Sequence, residues 1–550
     1  MTGPVSRECR IRPAGAPDHS FQQQVGMNKF EPQDRGSADT RALPDADARE
    51  LSAAVLQLGD APPLAPQQPL SQREVRTILM SLMLTMFLAA LDQTIVATAL
   101  PTIGHQFRDA ANLSWIITAY LLASTAVAPV FGTLSDIYGR KAMIILSLSL
   151  FIAGSVMCAL APSMTVLILA RGLQGLGGGG IMPLVQTVIS DVVTPRERGQ
   201  YQAYFSGVWV AAGIGGPILG GVFAEHLHWS MIFWINVPLA LLGLGLLLPR
   251  MGRIPVFHRL RKVDWLGGIL LMAAAVIFTL LLTWGGTRLS WLSPAALAMA
   301  GATVMLALAF VWHALRTDEP FLPLALLGGR VVPFGILAGG CSVGAIVGLT
   351  VHLPIYYLAV YHLSASEAGL ALIPLVAVSV LGSWAAGRVM ATLPHYKAVA
   401  MLGTGLAAST GLVMTFMTPM PLWLLLTVLS VFAFGLGTTF PVSVVSIQNA
   451  VARPQVGTVT GAMNFFRALM ASFSVAAMTM ILLTALGVGV AAHAEPTDAF
   501  HHVSPEAMVA GFRYVFGAAA TLLTVSFLCM VLMEERPLTG PQEPAMDLAE

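Results

Sequence analysis

From Arg76 to about residue 535 the chain alternates long apolar runs with short polar links. A run of about 20 apolar residues is what a helix needs to cross a hydrocarbon layer roughly 30 Å thick. Inside lipid every backbone N–H and C=O has to be satisfied within the segment, so such runs fold as helices and not as open strands. Read in order, they place spans at 78–100, 113–135, 141–161, 164–190, 200–223, 230–249, 265–284, 292–314, 333–360, 367–391, 397–416, 420–447, 457–485 and 508–533. The expected fold class is therefore an all-α polytopic membrane protein with about fourteen transmembrane helices. Charged residues make up 10% of the chain, far below the roughly 25% of a soluble domain.

What precedes and follows the spans differs from them. Residues 1–75 mix Pro, Gln, Asp, Arg and Ala without period and read as a disordered cytoplasmic tail, with Met1 or Met27 as the start. No basic start, apolar core and small-residue cleavage site marks a signal peptide. A net charge of +1 without a basic stripe argues against a nucleic-acid partner. Cys9, Cys158, Cys341 and Cys529 are scattered without CxxC or His–Cys spacing, so neither a metal site nor a disulfide framework is expected.

Basic residues set the orientation. Alternate links carry Arg140 and Lys141, Arg196 and Arg198, the cluster from Arg250 to Lys262, Arg316 and Arg330, Arg388 and Lys397, and Arg453, whereas the opposite links offer little beyond Arg108, Arg288 and Arg513. The positive-inside rule then puts both termini in the cytoplasm. The most basic link follows the sixth span and reads as the joint between two halves. The expected division is a tail at 1–75, a six-helix bundle at 76–250, a link with two extra helices at 251–330, a second six-helix bundle at 331–535 and a tail at 536–550.

Two charges lie inside spans, where they are costly and call for a function or a partner. Asp92 stands about eight residues before the outer end of the first span, roughly 12 Å deep, and Arg171 about seven residues into the fourth, roughly 10 Å deep. Since those spans run in opposite directions, the two side chains are placed to meet. A conformational change that alters their separation can load or release a proton. Bracing of the fold is the alternative role for both.

Four stretches carry a resemblance. Gly132-x-Leu134-x-Asp136-x-x-Gly139-Arg140-Lys141, a tight turn between the second and third spans, resembles the signature of the major facilitator superfamily, with Ile137 at a position usually basic. Arg171 matches the intramembrane Arg of its proton-coupled members. Gly213 to Gly221, with Gly216-Pro217-x-x-Gly220-Gly221, resembles the motif that marks antiporters. Leu91-Asp92-x-Thr94-Ile95-Val96-x-x-Ala99-Leu100-Pro101 and Met463-Asn464-Phe465-Phe466-Arg467 look like motifs of the fourteen-helix drug:proton antiporters. Gly175 to Gly180 also satisfies G-x-G-x-x-G, but it follows no strand and lies within a span, which rules out dinucleotide binding.

The resemblance implies two six-helix bundles plus two extra central helices, with no cofactor beyond a proton gradient and no enzymatic activity. It implies a cell inner membrane location and a proton-coupled exporter of lipophilic or amphipathic compounds. A periplasmic adaptor with an outer-membrane channel is a candidate partner besides substrate, protons and lipid. Its implied sites are Asp92 and Arg171 for proton coupling, and Gly132, Asp136, Gly139, Arg140, Lys141 and Arg467 for a cytoplasmic gate. Arg467 has three readings: gate bracing, contact with an anionic substrate group, or bonding to helix-end carbonyls. Candidate cavity residues are Gln174, Gln186, Trp209, His352, Tyr356, Tyr357, Gln448, Asn449 and Phe465, although each polar one alone reads first as a helix–helix hydrogen bond and only then as a ligand contact. One mid-membrane carboxylate suggests neutral, singly cationic or amphipathic substrates. His493, Glu495, Asp498, His501 and His502 fit no metal-ligand spacing and read as a solvated loop. Rival readings are a dedicated metabolite or siderophore transporter, a non-transporting sensor and a membrane-embedded enzyme, the last without a phosphate-binding loop to support it.

Overall fold

The computed structural model describes residues 71–109, 112–251, 262–286, 288–487 and 503–538. The N-terminal tail to residue 70 with Cys9 and Met27, most of the basic link after the sixth span, and the histidines and acids between 493 and 502 lie outside the described residues.

Among the described residues the chain is helical, with no strand beyond an isolated bridge between Gly285 and Leu289. The helices are α1 Gln72–Phe107, α2 Leu113–Tyr138, α3 Arg140–Ala159, α4 Met164–Val192, α5 Pro195–His226, α6 in two pieces (Met231–Trp234 and Asn236–Met251), α7 Trp265–Trp284 and α8 Pro294–Arg316. They continue as α9 Val332–Tyr361, α10 in two pieces (Ala365–Ala371 and Ile373–Thr392), α11 Lys397–Met417, α12 in two pieces (Leu422–Gly437 and Thr439–Asn449), α13 Val456–Ala485 and α14 Pro505–Leu532.

Thirteen of these described helices are long and apolar enough to cross a membrane. The one left out of the expected fourteen is α4, 29 residues long, which carries Arg171, Gln174, Gln186, Asp191 and four consecutive glycines. Its polarity faces protein, because α4 is clasped between α2 and α3 and most of its length is buried. Backbones touch there: a Cβ on Gly177 would overlap Phe151 and Ser147 of α3, and one on Gly179 would overlap Ser124 of α2.

The first helix is longer than its apolar run. Ser71 caps it, accepting from Glu74 N at 3.3 Å while Glu74 Oε2 accepts from Ser71 N at 2.9 Å, a reciprocal box that starts the helix ahead of residue 76. At the far end it runs through Pro101 to Phe107, beyond the expected end at 100.

Helices α1 to α6 pack on one another, as do α9 to α14. Two seams join the groups, α2 against α13 and α5 against α10. The hairpin of α7 and α8 lies over the first seam, where α7 touches both α2 and α13; Phe465 of α13 sits there in an apolar cluster with Leu271, Phe310 and Phe321. On the second seam, α1, α5 and α10 leave a cavity of about 740 Å³ lined by Met80, Phe87, Tyr204, Leu381 and Trp384. The end at which α2 turns into α3, rich in Arg and Lys, is called the basic end below.

One carboxylate clips the hairpin together. Asp264 accepts from Gly267 N at 2.9 Å and from Phe321 N at 2.9 Å, and meets His313 Nε2 at 2.8 Å, so it joins the start of α7, the last turn of α8 and the link beyond. Burial works against its charged form, but the N–H groups of Gly267, His313 and Phe321 outweigh it and hold the carboxyl below its ordinary value. Its contribution is therefore full above the unfolded value, near 3.9, and is lost as pH falls through the lower folded value. Asp264→Ala is expected to remove about 1 kcal/mol or somewhat more at neutral pH, on the scale of a lost helix cap. Thermal melting and protease sensitivity of the segment 317–331 would report it, and the difference from wild type should shrink as pH falls through the lowered folded value.

Candidate functional site

Asp92 on α1, Arg171 and Gln174 on α4 and Asn236 on α6 form a closed polar cluster. Arg171 Nη1 donates to Asp92 Oδ2 at 2.7 Å, and Gln174 Nε2 and Asn236 Nδ2 each donate to Asp92 Oδ1 at 2.8 Å. Arg171 also donates to Gln174 Oε1 at 2.6 Å and through Nε to the carbonyl of Ile116 at 3.0 Å, and it stacks over the Tyr120 ring at 4.4 Å. Gln174 reaches on to Ser155 Oγ at 2.8 Å. Asp92 is 0% exposed and Arg171 1%. Removing one partner of a buried pair costs about 3–5 kcal/mol, since the other charge is left uncompensated.

The equal depths of Asp92 and Arg171 were legible in the sequence; the rest of the cluster was not assigned. Gln174, expected in the cavity, is wholly buried here, three residues from Arg171 and so on the same helix face. Neither Asn236 nor Ser155 was given a role in it, and a lone amide inside the sixth apolar run was the signal for Asn236.

At the basic end the two groups of helices are in contact. Asp136 of α2 accepts from Gly457 N at 3.0 Å, Thr458 N at 2.7 Å and Thr458 Oγ1 at 2.8 Å, placing its carboxylate on the N-terminus of α13. Arg140 bonds Asp136 and Ser135 and reaches Asp191 of α4 through Nε at 3.0 Å. Gly139 has φ 88°, a value that favours glycine, and lets α2 pass into α3 across a single residue. Lys141 is exposed. A Cβ on Gly132 would overlap the Gly457 carbonyl and stand 2.9 Å from Gly461 Cα. The other seam has the same design: a Cβ on Gly387 of α10 would overlap Gly199 of α5, and Ser206 and Ser383 meet at 3.4 Å. Gln186 of α4 accepts from Asn464 of α13 at 2.8 Å, and its carbonyl accepts from Gln448 of α12 at 3.4 Å. Asp191, Thr458, Gly199, Gly387, Gly457 and Gly461 were not singled out in the sequence.

With this geometry in hand, comparison with known proteins is decisive: residues 82–475 match the family described as Major Facilitator Superfamily. The chain belongs to that superfamily. Among its relatives, an MFS-type efflux pump of a Fusarium species, LUC4, is 32% identical over 78% of this chain and 76% of its own length. Multidrug resistance protein 3 of Bacillus subtilis is 30% identical over 72% of this chain and 77% of its own. A bacterial homologue of the iron transporter ferroportin, solved in an outward-facing state, has a TM-score of 0.57 at 11% identity, over 82% of this chain and 98% of its own; that likeness speaks to the fold alone. The chain is a multi-pass membrane transporter of the superfamily.

The other residues singled out in the sequence are distributed over helix contacts and interiors. In the glycine-rich stretch of α5, a Cβ on Gly216 or Gly220 would overlap Thr94 or Thr98 of α1, whereas Gly213 and Gly221 face open space. Pro217 lies within the helix, and Thr94 Oγ1 donates to the Ala212 carbonyl at 2.8 Å. Arg467, expected at the gate, has its contacts within the second half: its hydrogen bond goes to Ser443 Oγ of α12 at 2.6 Å, and its guanidinium lies against Gly339 of α9. Tyr356 and Tyr357 are fully buried in the core of the second half, with Tyr356 ringed by Phe512 and Phe516. His352 is also internal, bonded to the Gly348 carbonyl and Thr479 Oγ1. Asn449 donates to the Pro537 carbonyl beyond α14, Phe465 packs under the hairpin, and Trp209 is half-buried against α1. Gln186 and Gln448 sit on the seam between halves. Aromatic and amide side chains serve packing and lining equally well, which is why the sequence could not separate the two uses.

Gly461→Val places methyls where the Ala128 carbonyl stands 2.9 Å and Gly132 Cα 3.1 Å from a single Cβ. The seam is expected to part. A cysteine introduced at Ala128, 6% exposed, should then react several-fold faster with a water-soluble maleimide, in a background whose native cysteines are replaced by serine.

Proposed function

We propose that this chain is a proton-coupled exporter of lipophilic or amphipathic small molecules, placed in a cell inner membrane with its basic end and both termini in the cytoplasm. The observation that carries the reading is the sealed cluster of Asp92 with Arg171, Gln174 and Asn236: one ionisable carboxylate shared by three helices, in a conformation closed at the basic end. Ionised, Asp92 holds α1, α4 and α6 together; protonated, it loses its match to Arg171, and the helices are free to adopt another arrangement. Proton binding and the side to which the molecule opens are coupled in this way. The relatives named as efflux pumps support export over import, as does the close packing of α5 on α1 through Gly216 and Gly220.

The test uses an efflux-deficient host and three dyes: ethidium as cation, Nile red as neutral probe and 8-anilinonaphthalene-1-sulfonate as monoanion. Extrusion of at least one is expected to stop on adding an uncoupler. Asp92→Asn, which keeps the size but not the titration, should lower it by at least tenfold with the protein still in the membrane. Uncoupler-insensitive extrusion, or full activity in Asp92→Asn, would refute proton coupling through Asp92. A membrane-inserted protein that moves none of the dyes would favour a dedicated metabolite transporter.

A further inference from the structure

One buried guanidinium of this transporter has no carboxylate partner among the described residues. Among the described residues, Asp92 is met by Arg171, and Asp136 and Asp191 are met by Arg140. Arg467 is only 9% exposed and faces no carboxylate. One donor, Nη2, reaches Ser443 Oγ at 2.6 Å, and the buried Nε has no acceptor. A guanidinium offers five N–H donors in a planar fork, so most of its capacity is unused by these contacts.

Its surroundings are shaped for it. A Cβ at Gly339 of α9 would stand 2.7 Å from Nη2 and 3.0 Å from Nε, so glycine there is what lets the plane lie against the α9 backbone. Ser443 fixes one edge from α12. Arg467 lies eleven residues from Val456, the first residue of α13, roughly 16 Å from that helix end and near the middle of a hydrocarbon layer. It is also three residues beyond Asn464, whose amide crosses the seam to Gln186, so parting of the halves opens that side of α13. Phe465 and Phe466 flank the same turn.

A cationic cargo finds no free carboxylate beside Arg467 among the described residues, and Asp92, Asp136 and Asp191 are already occupied by guanidinium and N–H groups. An anion does. We infer that the cargo carries a single acidic group, a carboxylate or sulfonate on a lipophilic frame, and that Arg467 between α9, α12 and α13 is its binding residue. The fork suits either group with two parallel hydrogen bonds. This rests on the exporter reading above and narrows its substrate class. It also has a charge consequence: one proton in and one monoanion out moves two positive charges inward per cycle. An inside-negative potential therefore drives anion export, whereas exchange of a proton for a monocation is electroneutral.

The test has two arms on the full-length protein. In the first, proteoliposomes with an imposed pH gradient are given 8-anilinonaphthalene-1-sulfonate, Nile red or ethidium. The anion is expected to move at least tenfold faster than ethidium, faster still with a potassium diffusion potential of the driving sign. Arg467→Gln should lose at least tenfold, and Arg467→Lys, which keeps the charge without the fork, should retain an intermediate rate. Proton-driven movement of ethidium or Nile red but not of the anion would overturn the inference and leave the exporter reading standing. In the second arm, naphthalene-1-sulfonate is expected to raise the melting temperature of the detergent-solubilised wild type more than the neutral naphthalene-1-methanol does, and to lose that advantage in Arg467→Gln. Equal shifts in wild type and Arg467→Gln would refute the anion site even if no dye moves, whereas a differential shift without transport would keep the site and refute the exporter reading.

Discussion

Water has no access to Asp92, and the first half of the molecule is arranged around that constraint. A carboxylate in such a place must be met entirely by protein donors, and α1 cannot supply them by itself. Arg171 and Gln174 come from α4 and Asn236 from α6. For α4 to bring them in, it must lie against both α2 and α3, which is what the glycines from Gly177 to Gly180 permit. The helix that carries Arg171 and Gln174 and the bundle's four-glycine run are thus one device: close backbone approach carries polar side chains to a partner that lipid could not provide.

The basic end follows a related logic with a different partner. Asp136 belongs to the first half, yet the N–H groups that satisfy it belong to the start of α13 in the second. Closure therefore supplies donors to a carboxylate and an acceptor to a helix terminus in the same act. Arg140 and Asp191 keep that carboxylate in position from its own side. Glycines at both seams set how near the backbones come, so the closed state has short polar contacts and little side-chain bulk between its halves.

Much of this was readable in the sequence for one reason: helices in lipid are regular. Uniform rise per residue made the depths of Asp92 and Arg171 comparable before any contact was known, and apolar length placed the spans to within a few residues. What was not readable depends on partners far along the chain. Gly132 was noticed for its motif, but its contact with Gly457 and Gly461 appears only when α2 and α13 are brought together. Gln174, Tyr356 and Tyr357 were placed in a cavity because polar and aromatic side chains suit one, and the structure puts them in interiors where they suit equally. The start of α1 at Gln72 was missed because its capping box lies in polar sequence outside the apolar run.

The two seams are not equivalent, and the difference has a consequence within the plane of the membrane. The α7–α8 hairpin covers the junction of α2 and α13, while among the described residues no helix lies over the junction of α5 and α10, which is hollowed beside Met80, Tyr204 and Trp384. A bilayer is a two-dimensional solvent, and its solutes meet a protein edge-on. For them this molecule has a front and a back: a molecule diffusing among the acyl chains reaches the meeting line of the two halves directly from one side and finds a helical shield on the other. Twelve helices arranged in two like halves would look the same from either flank; the added pair gives the transporter a direction sideways as well as through the membrane.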